Sequence, residues 1–218
     1  MTVSILDQRL RFPDPDQASA EGLVAVGGNL SVARLLLAYR SGIFPWTAAP
    51  VTWWSPDPRG IFLLDGFHVS RSLARVIRQG IFRVTIDQAF REVMQGCAAP
   101  APGRRSTWIT PEFLDAYGEL HDQGYAHSVE CWQGEHLAGG IYGVAIAGFF
   151  AGESMFYRVS NASKVALAHL IEHLRQKTFL LFDVQMLTRI TEQLGAVTIS
   201  RRAYLKLLSK ALTQETSF

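Results

Sequence analysis

The sequence predicts an α+β protein with a small N-terminal domain over residues 1–60 and a larger domain over residues 61–218. Three observations support this class. An apolar fraction of 48% in 218 residues is ample for a packed core. Three strand-like runs follow one another within residues 127–156. A helical pattern over residues 162–177 then leads directly into an apolar strand at residues 178–185.

Composition narrows the compartment and the possible partners. No apolar run approaches the roughly 18 residues that a membrane span needs, and the N-terminus has no signal-peptide pattern. Cys97 and Cys131 are too few for a disulfide framework and too far apart for a zinc knuckle. The formal charge of +2 permits an anionic partner without requiring one. We therefore expect a cytoplasmic protein, and a monomer by default.

The N-terminal domain contains one helix and a segment rich in tryptophan and proline. Residues 30–42 (LSVARLLLAYRSG) predict a short helix that begins after Ser31 and ends at its glycine. It leads into residues 42–60 (GIFPWTAAPVTWWSPDPRG), which we expect to hold little regular secondary structure. Trp53 and Trp54 are adjacent, so their side chains point in opposite directions in an extended chain. We interpret these two rings as the seam between the domains.

Residues 70–80 predict an amphipathic helix with a basic face. Arg71, Arg75 and Arg78 recur at spacings of four and three, opposite an apolar face. Such a face either contacts nucleic-acid phosphates or is simply solvated, and the sequence leaves both possibilities open.

The middle of the chain alternates short elements with turns. Residues 80–85 predict a strand, residues 86–98 a helix and residues 99–106 a Gly/Pro-rich loop. A further helix begins after Thr110, with proline at its first position, and ends at Gly124.

From residue 127 onward the order of elements resembles that of the GNAT acetyltransferases: an antiparallel meander, a helix and a strand. In those enzymes a glycine-rich turn at the start of the helix binds the pyrophosphate of coenzyme A. Residues 157–164 here read YRVSNASK and contain no glycine. We therefore expect a GNAT-like larger domain that does not bind coenzyme A.

Two carboxylates and one amide are candidates for chemistry. Asp183 and Gln185 interrupt the apolar run FLLFDVQML, and residues two apart on a strand share a face. A carboxylate beside an amide can accept a proton from an amine and hold a carbonyl group. Glu153 follows the third strand-like run, in GESMF. The alternative for each is a polar side chain that meets solvent where a strand ends.

Aromatic residues suggest a second kind of contact. Trp46 and Trp108 lie in stretches flanked by glycine or proline, and Tyr39 lies on the predicted helix before Trp46. Such rings stack on the bases of single-stranded nucleic acids. The alternative is that they pack the two domains together.

The pentapeptide HLIEH matches the H-x-x-E-H pattern of inverted zinc proteases through His169 and His173. Both histidines fall on the polar side of the predicted helix, and no distal glutamate ligand is evident. Two solvated histidines are the competing interpretation.

Nine motifs occur together in a characteristic order and spacing: GLVAVGGNLS, LLLAYRSGIFPW, WWSPDPRG, STWIT, HSVECW, GGIYGVA, GESMF, NASK and DVQ. By these motifs the chain resembles the bacterial leucyl/phenylalanyl-tRNA–protein transferases from about residue 10 to residue 204. WWSPDPR and GESMF are highly specific in combination, whereas each shorter motif alone proves little.

The resemblance implies an enzyme that moves Leu or Phe, and less readily Met, from aminoacyl-tRNA to the α-amino group of proteins beginning with Arg or Lys. The added residue marks those proteins for degradation by the N-degron pathway. The resemblance implies no ATP, metal or coenzyme A, because the tRNA ester is already an activated acyl group. A tRNA-binding or single-strand-binding module without catalysis and a zinc hydrolase are the alternatives.

The resemblance also assigns residues to roles. It implies that Trp46 and Trp108 sandwich the 3′-terminal adenosine of the tRNA, with Tyr39 beside them. The implied reaction centre consists of Asp183, Gln185 and Glu153. The implied pocket for the aminoacyl side chain is formed by Phe150, Leu170, Leu174 and Phe182.

The chain departs from the best-known members of that family at two places. Leu170 and Leu174 replace phenylalanine, and Phe182 replaces isoleucine, so the ranking of Leu, Phe and Met as donors can differ. After the DVQ motif the familiar Leu-Asn-Asp-His continuation is replaced by LTRI, residues 187–190. The preference for the acceptor protein can therefore differ as well.

Overall fold

The computed structural model describes residues 3–100 and 107–218. These residues form two β-sheets surrounded by helices, which confirms the predicted α+β class. In chain order the elements are β1 (Ser4–Leu6), β2 (Leu23–Gly27), α1 (Val32–Arg40), β3 (Phe44–Ala48), β4 (Val51–Trp54), β5 (Arg59–Phe62), α2 (Arg71–Gln79), β6 (Arg83–Ile86), α3 (Phe90–Ala98), α4 (Pro111–Asp122), β7 (Ala126–Gln133), β8 (His136–Ile146), β9 (Phe149–Tyr157), α5 (Ala162–Gln176), β10 (Leu181–Gln185), α6 (Arg189–Gln193), β11 (Ala196–Ile199) and α7 (Arg201–Ala211).

The smaller sheet has the strand order β1-β2-β4-β3. β1 and β2 are parallel, whereas β4 is antiparallel to both of its neighbours. The helix α1 packs on β3. Ser31 occupies the N-cap position of α1, as predicted, although its hydroxyl makes no capping hydrogen bond.

The segment rich in tryptophan and proline forms a β-hairpin with one bulge, at Trp46, which corrects the expectation of little regular secondary structure. β3 and β4 pair antiparallel from Phe44↔Trp54 to Ala48↔Val51. The sheet tolerates Pro45 because β3 is an edge strand, where one row of backbone groups has no strand partner.

Trp53 and Trp54 lie on opposite faces of β4, as expected, and the apolar cluster that contains Trp53 also contains residues of the larger sheet. Trp53 is fully buried under the smaller sheet, where its Nε1 donates to the Gly27 carbonyl at 2.8 Å and its ring lies 4.8 Å from the ring of Phe12. The half-buried Trp54 ring lies 5.4 Å from the ring of Trp46. Trp54 therefore supports Trp46, and Trp53 belongs to an apolar cluster that residues of both sheets share.

The larger sheet has the strand order β11-β5-β10-β9-β8-β7-β6. β7, β8 and β9 form the predicted antiparallel meander, and β10 pairs in parallel with β9 after the crossover through α5. Alternate residues of β8 serve two apolar clusters: Ile141 packs with α5, and Tyr142 packs on the side of α3 and α4. Both faces of the meander are therefore buried.

A polar N-cap residue and a left-handed glycine mark the two ends of α2 and of α4. The Ser70 hydroxyl accepts from the Leu73 amide at the start of α2, and Gly80 ends that helix with a left-handed φ of 61°. α4 begins at Pro111 and is followed by Gly124, whose φ is 77°. Along residues 3–100 and 107–218, no helix combines the length and apolar character needed to cross a bilayer.

Two predicted boundaries move along the chain. The strand expected at residues 80–85 forms as β6, three residues later, where it pairs with β7. The following helix starts only at Phe90, because Asp87 adopts a left-handed φ of 56° and interrupts the chain between strand and helix. Most of the loop expected at residues 99–106 lies outside the described residues.

Gly143 generates a prediction about the stability of the meander. It pairs with Gly152 of β9, and a Cβ atom on Gly143 would lie 2.2 Å from the Ala151 carbonyl oxygen. We expect Gly143→Ala to lower the free energy of unfolding by about 3 kcal/mol, because the backbone of two strands has to separate. Urea denaturation measures the change.

Gly66→Ala is the matched control for that experiment. A Cβ atom there would meet only the Leu63 Cβ, at an ordinary 3.4 Å. We expect its unfolding free energy to stay within about 0.5 kcal/mol of the wild-type value. Equal destabilisation by the two substitutions would contradict the close approach of β8 and β9 at Gly143.

Candidate active site

A cleft of about 310 Å³ opens beside the end of β10. The edge of the smaller sheet, the segment before α4, the middle of β9 and the end of β10 with the residues after it contribute its walls. Its lining residues are Phe44, Pro45, Trp46, Trp108, Glu153, Val184, Gln185, Met186, Leu187 and Thr188. The walls are mainly apolar and aromatic, and they converge on the carboxylate and amide of two residues, Glu153 and Gln185. A concave, largely apolar site with a few convergent polar groups is the usual form of a ligand site.

Two β-bulges, on neighbouring strands, place these polar groups. On β9 the register passes from Tyr142↔Ser154 to Gly143↔Gly152, so Glu153 is the extra residue of a bulge. A bulge breaks the alternation of side chains and turns one of them to a new direction. Glu153 therefore lines the cleft although it lies within a strand whose neighbours pack into the core.

The second bulge lies on β10. The register with β5 passes from Asp183↔Ile61 to Gln185↔Gly60, so Val184 is the extra residue. Gln185 adopts a left-handed φ of 57°. β9 and β10 pair only as far as Asp183↔Ala151, and the strands separate beyond that point. The two bulges thus open the sheet at the place where the cleft begins.

Glu153 is held by two buried tyrosines and by Gln185. Its Oε1 accepts from the Tyr39 hydroxyl at 2.8 Å and from Gln185 Nε2 at 3.2 Å, and its Oε2 accepts from the Tyr117 hydroxyl at 3.1 Å. The two tyrosine hydroxyls also lie within hydrogen-bonding distance of each other, and since each has one proton, one of them can donate to the other only when it does not donate to Glu153. Among the described residues, Oε2 keeps one acceptor position unused.

Burial raises the pKa of Glu153 from its usual range to about 7. The hydroxyls of Tyr39 and Tyr117 oppose this shift because they donate to the charged form, and the nearby charge of Asp183 adds to it. A carboxyl group that titrates near neutrality in a cleft is suited to accept and return a proton.

Asp183 lies behind the cleft and is fully buried. Its Oδ1 accepts from Arg59 Nε at 2.9 Å and from the backbone amide of Gln185 at 2.8 Å. Its Oδ2 accepts from Arg59 Nη2 at 2.6 Å and from the Tyr204 hydroxyl at 2.9 Å. A carboxylate has about four acceptor positions, so these four donors occupy all of them. Asp183 does not share the cleft with Gln185, because the bulge interrupts the two-residue alternation on which that expectation depended.

The structure brings four of the predicted site residues together in the cleft: Trp46, Trp108, Glu153 and Gln185. Tyr39 is buried and directs its hydroxyl to Glu153, so its ring is not a wall of the cleft. Arg71, Arg75 and Arg78 lie on the exposed face of α2, and none of them lines the cleft.

The four residues expected to form the aminoacyl pocket are packed together in the core. Phe150, Leu170, Leu174 and Phe182 are each at most 1% exposed, and none of them lines the cleft. The rings of Phe150 and Phe182 meet edge to face, with centroids 5.3 Å apart. The cluster packs against Gly152, the residue before Glu153, because a Cβ atom on that glycine would lie 2.8 Å from the Phe182 ring.

Sequence reasoning missed three residues around the site. Arg59 lies within the motif WWSPDPRG, so the motif itself was a signal. Tyr117 and Tyr204 are buried on α4 and α7, where their apolar neighbours hide any polar role. Their hydrogen bonds to the two carboxylates come from parts of the chain far apart in sequence.

The histidine motif on α5 has a simple position in the fold. His169 is exposed and His173 is half-buried, with its ring 4.5 Å from the ring of Phe218. In the part of the chain that the structure describes, no three His, Cys, Asp or Glu side chains converge in a way that could hold a metal ion.

Known proteins resemble this chain along most of its length. Residues 61–209 match the family model described as leucyl/phenylalanyl-tRNA protein transferase, and residues 28–57 match the model of its N-terminal domain. The leucyl/phenylalanyl-tRNA–protein transferase of Magnetococcus marinus is 52% identical, over 93% of this chain and 89% of that protein. The protein of that name from Anaeromyxobacter sp. (strain Fw109-5) is 49% identical, over 99% of this chain and 93% of that protein.

These likenesses identify the chain in general terms as an aminoacyltransferase that uses tRNA. More narrowly, it belongs to the leucyl/phenylalanyl-tRNA–protein transferase family. Among solved structures, that of L-PGS from Bacillus licheniformis aligns with 85% of this chain and 71% of that chain, at 12% identity and a TM-score of 0.42. A likeness at that score carries no argument about fold or function.

The raised pKa of Glu153 predicts a pH-dependent stability. The folded state keeps a proton up to about pH 7, whereas the unfolded chain releases it near the usual value of 4.5. The free energy of unfolding should therefore fall as the pH rises through this interval. We expect the wild type to lose on the order of 2 kcal/mol relative to Glu153→Gln between about pH 5 and pH 8, measured by urea denaturation.

Tyr39→Phe refines this experiment. The Tyr39 hydroxyl donates to the charged carboxylate and lowers the pKa of Glu153, so its removal should raise that pKa further. Carbon-detected NMR of the glutamate side chains can follow the titration directly. If the stability of the wild type and that of Glu153→Gln depend on pH in the same way, the raised pKa of Glu153 is refuted.

Proposed function

We propose that this protein transfers Leu or Phe, and Met less readily, from aminoacyl-tRNA to the α-amino group of proteins that begin with Arg or Lys. The added residue marks these proteins for degradation through the N-degron pathway, in the cytoplasm. One observation carries the proposal: a single cleft lined by two tryptophans converges on Glu153 and Gln185. It supplies surfaces for a nucleoside and polar groups for acyl transfer in one place.

Trp46 and Trp108 hold the 3′-terminal adenosine by stacking. Both are half-buried residues of the cleft, so part of each ring is free to contact a ligand. The Trp46 ring is supported by Trp54 at 5.4 Å and by Phe44 at 6.1 Å, and the Trp108 ring by Phe113 at 5.1 Å. Rings fixed in this way lose little freedom when a base stacks on them.

Glu153 and Gln185 serve the transfer step. The α-amine of the acceptor attacks the ester carbonyl carbon of the aminoacyl-tRNA, so a C–N bond forms and the C–O bond to the ribose breaks. Glu153 Oε2 takes the proton that the amine loses and returns one to the departing ribose oxygen. The amide of Gln185 lies beside this carboxylate, where it steadies the reacting carbonyl group. Asp183 contributes by position, since its own acceptor sites are occupied.

The side chain of the donor residue enters from the cleft toward Phe150, Leu170, Leu174 and Phe182. The side chain passes Gly152, which precedes Glu153 in the chain and lies directly against the Phe182 ring. The cluster is closely packed, so the incoming side chain has to displace these rings and leucines. Apolar donors are favoured, because a polar group entering such a cluster would have no hydrogen-bond partner.

The remaining parts of the chain serve tRNA binding and architecture. The basic face of α2, formed by Arg71, Arg75 and Arg78, contacts phosphates of the tRNA body. Residues 1–60 form the small domain, and residues 61–218 form a GNAT-like domain. The parallel pairing of β9 with β10 across α5, and the separation of these strands beyond Asp183, support the GNAT-like assignment.

A transfer assay tests the proposed function. We expect the purified protein to move labelled Leu from leucyl-tRNA to a peptide that begins with Arg or Lys, and to leave the same peptide beginning with Glu unmodified. The peptide product is measured by mass. EDTA should not change the rate, which separates this activity from that of a zinc hydrolase. Binding of leucyl-tRNA without any peptide product would show a binding module instead.

Substitution of the stacking rings tests how the donor is bound. We expect Trp46→Leu to weaken the binding of leucyl-tRNA by about 1–3 kcal/mol, because a base loses its stacking partner. The matched control is Trp132→Leu, a half-buried tryptophan on β7 whose Nε1 donates to Thr85. Filter binding measures both affinities. Equal affinities for the Trp46 variant and the wild type would refute stacking.

A further inference from the structure

Among the residues that the structure describes, Arg59 is the one buried arginine that hydrogen-bonds to Asp183, and the proposed transfer chemistry gives it no role. It is the first residue of β5 and is 1% exposed. Its guanidinium donates to Asp183 through Nε and Nη2, to the Gly42 carbonyl through Nη1 at 3.0 Å, and to the Tyr204 hydroxyl at 3.3 Å.

We propose that Arg59 is a positioning residue of the transfer reaction: through Asp183 it holds the backbone of Gln185 in its bulge, so that the Gln185 amide meets Glu153. This inference rests on the proposed function, because it describes how the same site is assembled. Arg59 itself does not line the cleft.

Three successive contacts connect Arg59 to Glu153, and the first joins Arg59 to Asp183. Two parallel N–H···O bonds, at 2.9 and 2.6 Å, join the planar guanidinium to both carboxylate oxygens. This bidentate geometry fixes the rotation of the carboxylate as well as its position. A lysine ammonium cannot reproduce the fork, because it is a single point of charge on a flexible stem.

The second step runs from Asp183 to Gln185. The Oδ1 atom that accepts from Arg59 Nε also accepts from the Gln185 backbone amide, at 2.8 Å. Gln185 has a left-handed φ of 57°, a conformation that is unfavourable for residues other than glycine and persists only where its surroundings enforce it. The hydrogen bond to Asp183 is such a constraint.

The third step runs from Gln185 to Glu153. The left-handed backbone directs Gln185 Nε2 to Glu153 Oε1, at 3.2 Å, across the opening between β10 and β9. Gly60 allows this part of the chain to lie close to β5, because a Cβ atom there would be 3.0 Å from the Met186 carbonyl carbon. Arg59 and Gly60 are consecutive, so one short segment supports the bulge both by charge and by close packing.

The energetics of buried ion pairs also favour a positioning role. Arg59 and Asp183 have side-chain exposures of 1% and 0%. Replacing such a pair by apolar residues of similar volume is often neutral or stabilising, so the pair is weak evidence for a contribution to stability. Its place directly behind the cleft agrees with a role in orienting the reacting groups.

Arg59→Lys is the central variant. It keeps a positive charge near the rings of Phe44 and Tyr204, which lie 4.9 and 4.4 Å from the Arg59 guanidinium carbon, but it loses the fork. In the transfer assay we expect kcat to fall about 10- to 100-fold while KM for leucyl-tRNA changes less than about threefold. The substitution should disturb the placement of Gln185 and leave the stacking rings of Trp46 and Trp108 in place.

A double-mutant cycle with Asp183→Asn tests the path of this effect. If Arg59 acts through Asp183, the two losses of kcat should not multiply. The double variant should then keep at least about half the kcat of the slower single variant. Arg34→Lys is the matched control, because Arg34 is equally buried but donates to the carbonyls of Asp7 and Arg9 in the N-terminal segment. We expect Arg34→Lys to keep kcat within about twofold of the wild type.

Tyr204→Phe keeps the proposal testable if Arg59→Lys does not fold. It leaves the ring in place and removes only the hydroxyl that donates to Asp183 Oδ2. We expect kcat to fall about 3- to 10-fold, without a further fall in combination with Asp183→Asn.

The outcomes separate the two proposals. A wild-type protein that transfers no amino acid overturns both the proposed function and the role of Arg59. If the wild type is active, either of two results overturns the role of Arg59 alone. One is a folded Arg59→Lys variant whose kcat stays within twofold of the wild-type value. The other is a loss of kcat in Arg59→Lys that multiplies with the loss in Asp183→Asn. If Arg59→Lys is unfolded, the same two criteria apply to Tyr204→Phe.

Discussion

The candidate site depends on one buried ion pair, between Arg59 and Asp183. Two charges removed from water are tolerable only when nearly all of their hydrogen-bonding positions are used, and here the carboxylate receives four donors. Those donors come from β5, β10 and α7, and the arginine also reaches the carbonyl of Gly42 beside the smaller sheet. Satisfying this one pair therefore ties together the elements that surround the cleft.

The two β-bulges, at Glu153 and Val184, open the larger sheet where the cleft begins. In a regular sheet, β9 and β10 would continue to pair and would leave no room for a ligand. The extra residues, Glu153 on β9 and Val184 on β10, separate the strands and turn the side chains of Glu153 and Gln185 toward the opening. The cost is a strained backbone at Gln185 and a partly buried carboxyl group, that of Glu153, whose pKa rises to about 7. Both are features that a core strand would avoid and that a reaction centre can use.

The smaller sheet contributes the aromatic side of the cleft. Its edge strand β3 carries Phe44 and Trp46, and the neighbouring strand supports them through Trp54. Tyr39, on the preceding helix, reaches Glu153 in the larger sheet with its hydroxyl. The cleft is therefore the place where aromatic side chains of the smaller sheet meet polar side chains of the larger one.

Local signals in the sequence determined much of this protein. The start and end of α4, the alternating pattern of the meander and the apolar face of α5 are properties of neighbouring residues, so the sequence predicts them correctly. The motifs also selected Trp46, Trp108, Glu153 and Gln185, which the fold brings into one cleft. Only the tertiary structure could show that Asp183 lies behind that cleft, because a bulge cancels the two-residue alternation. Its partner Arg59 lies 124 residues away, and no periodic pattern reports a pairing at that distance. The reason is physical: periodicity records which face of an element is buried, whereas the partner of a buried charge is decided by which strands become neighbours.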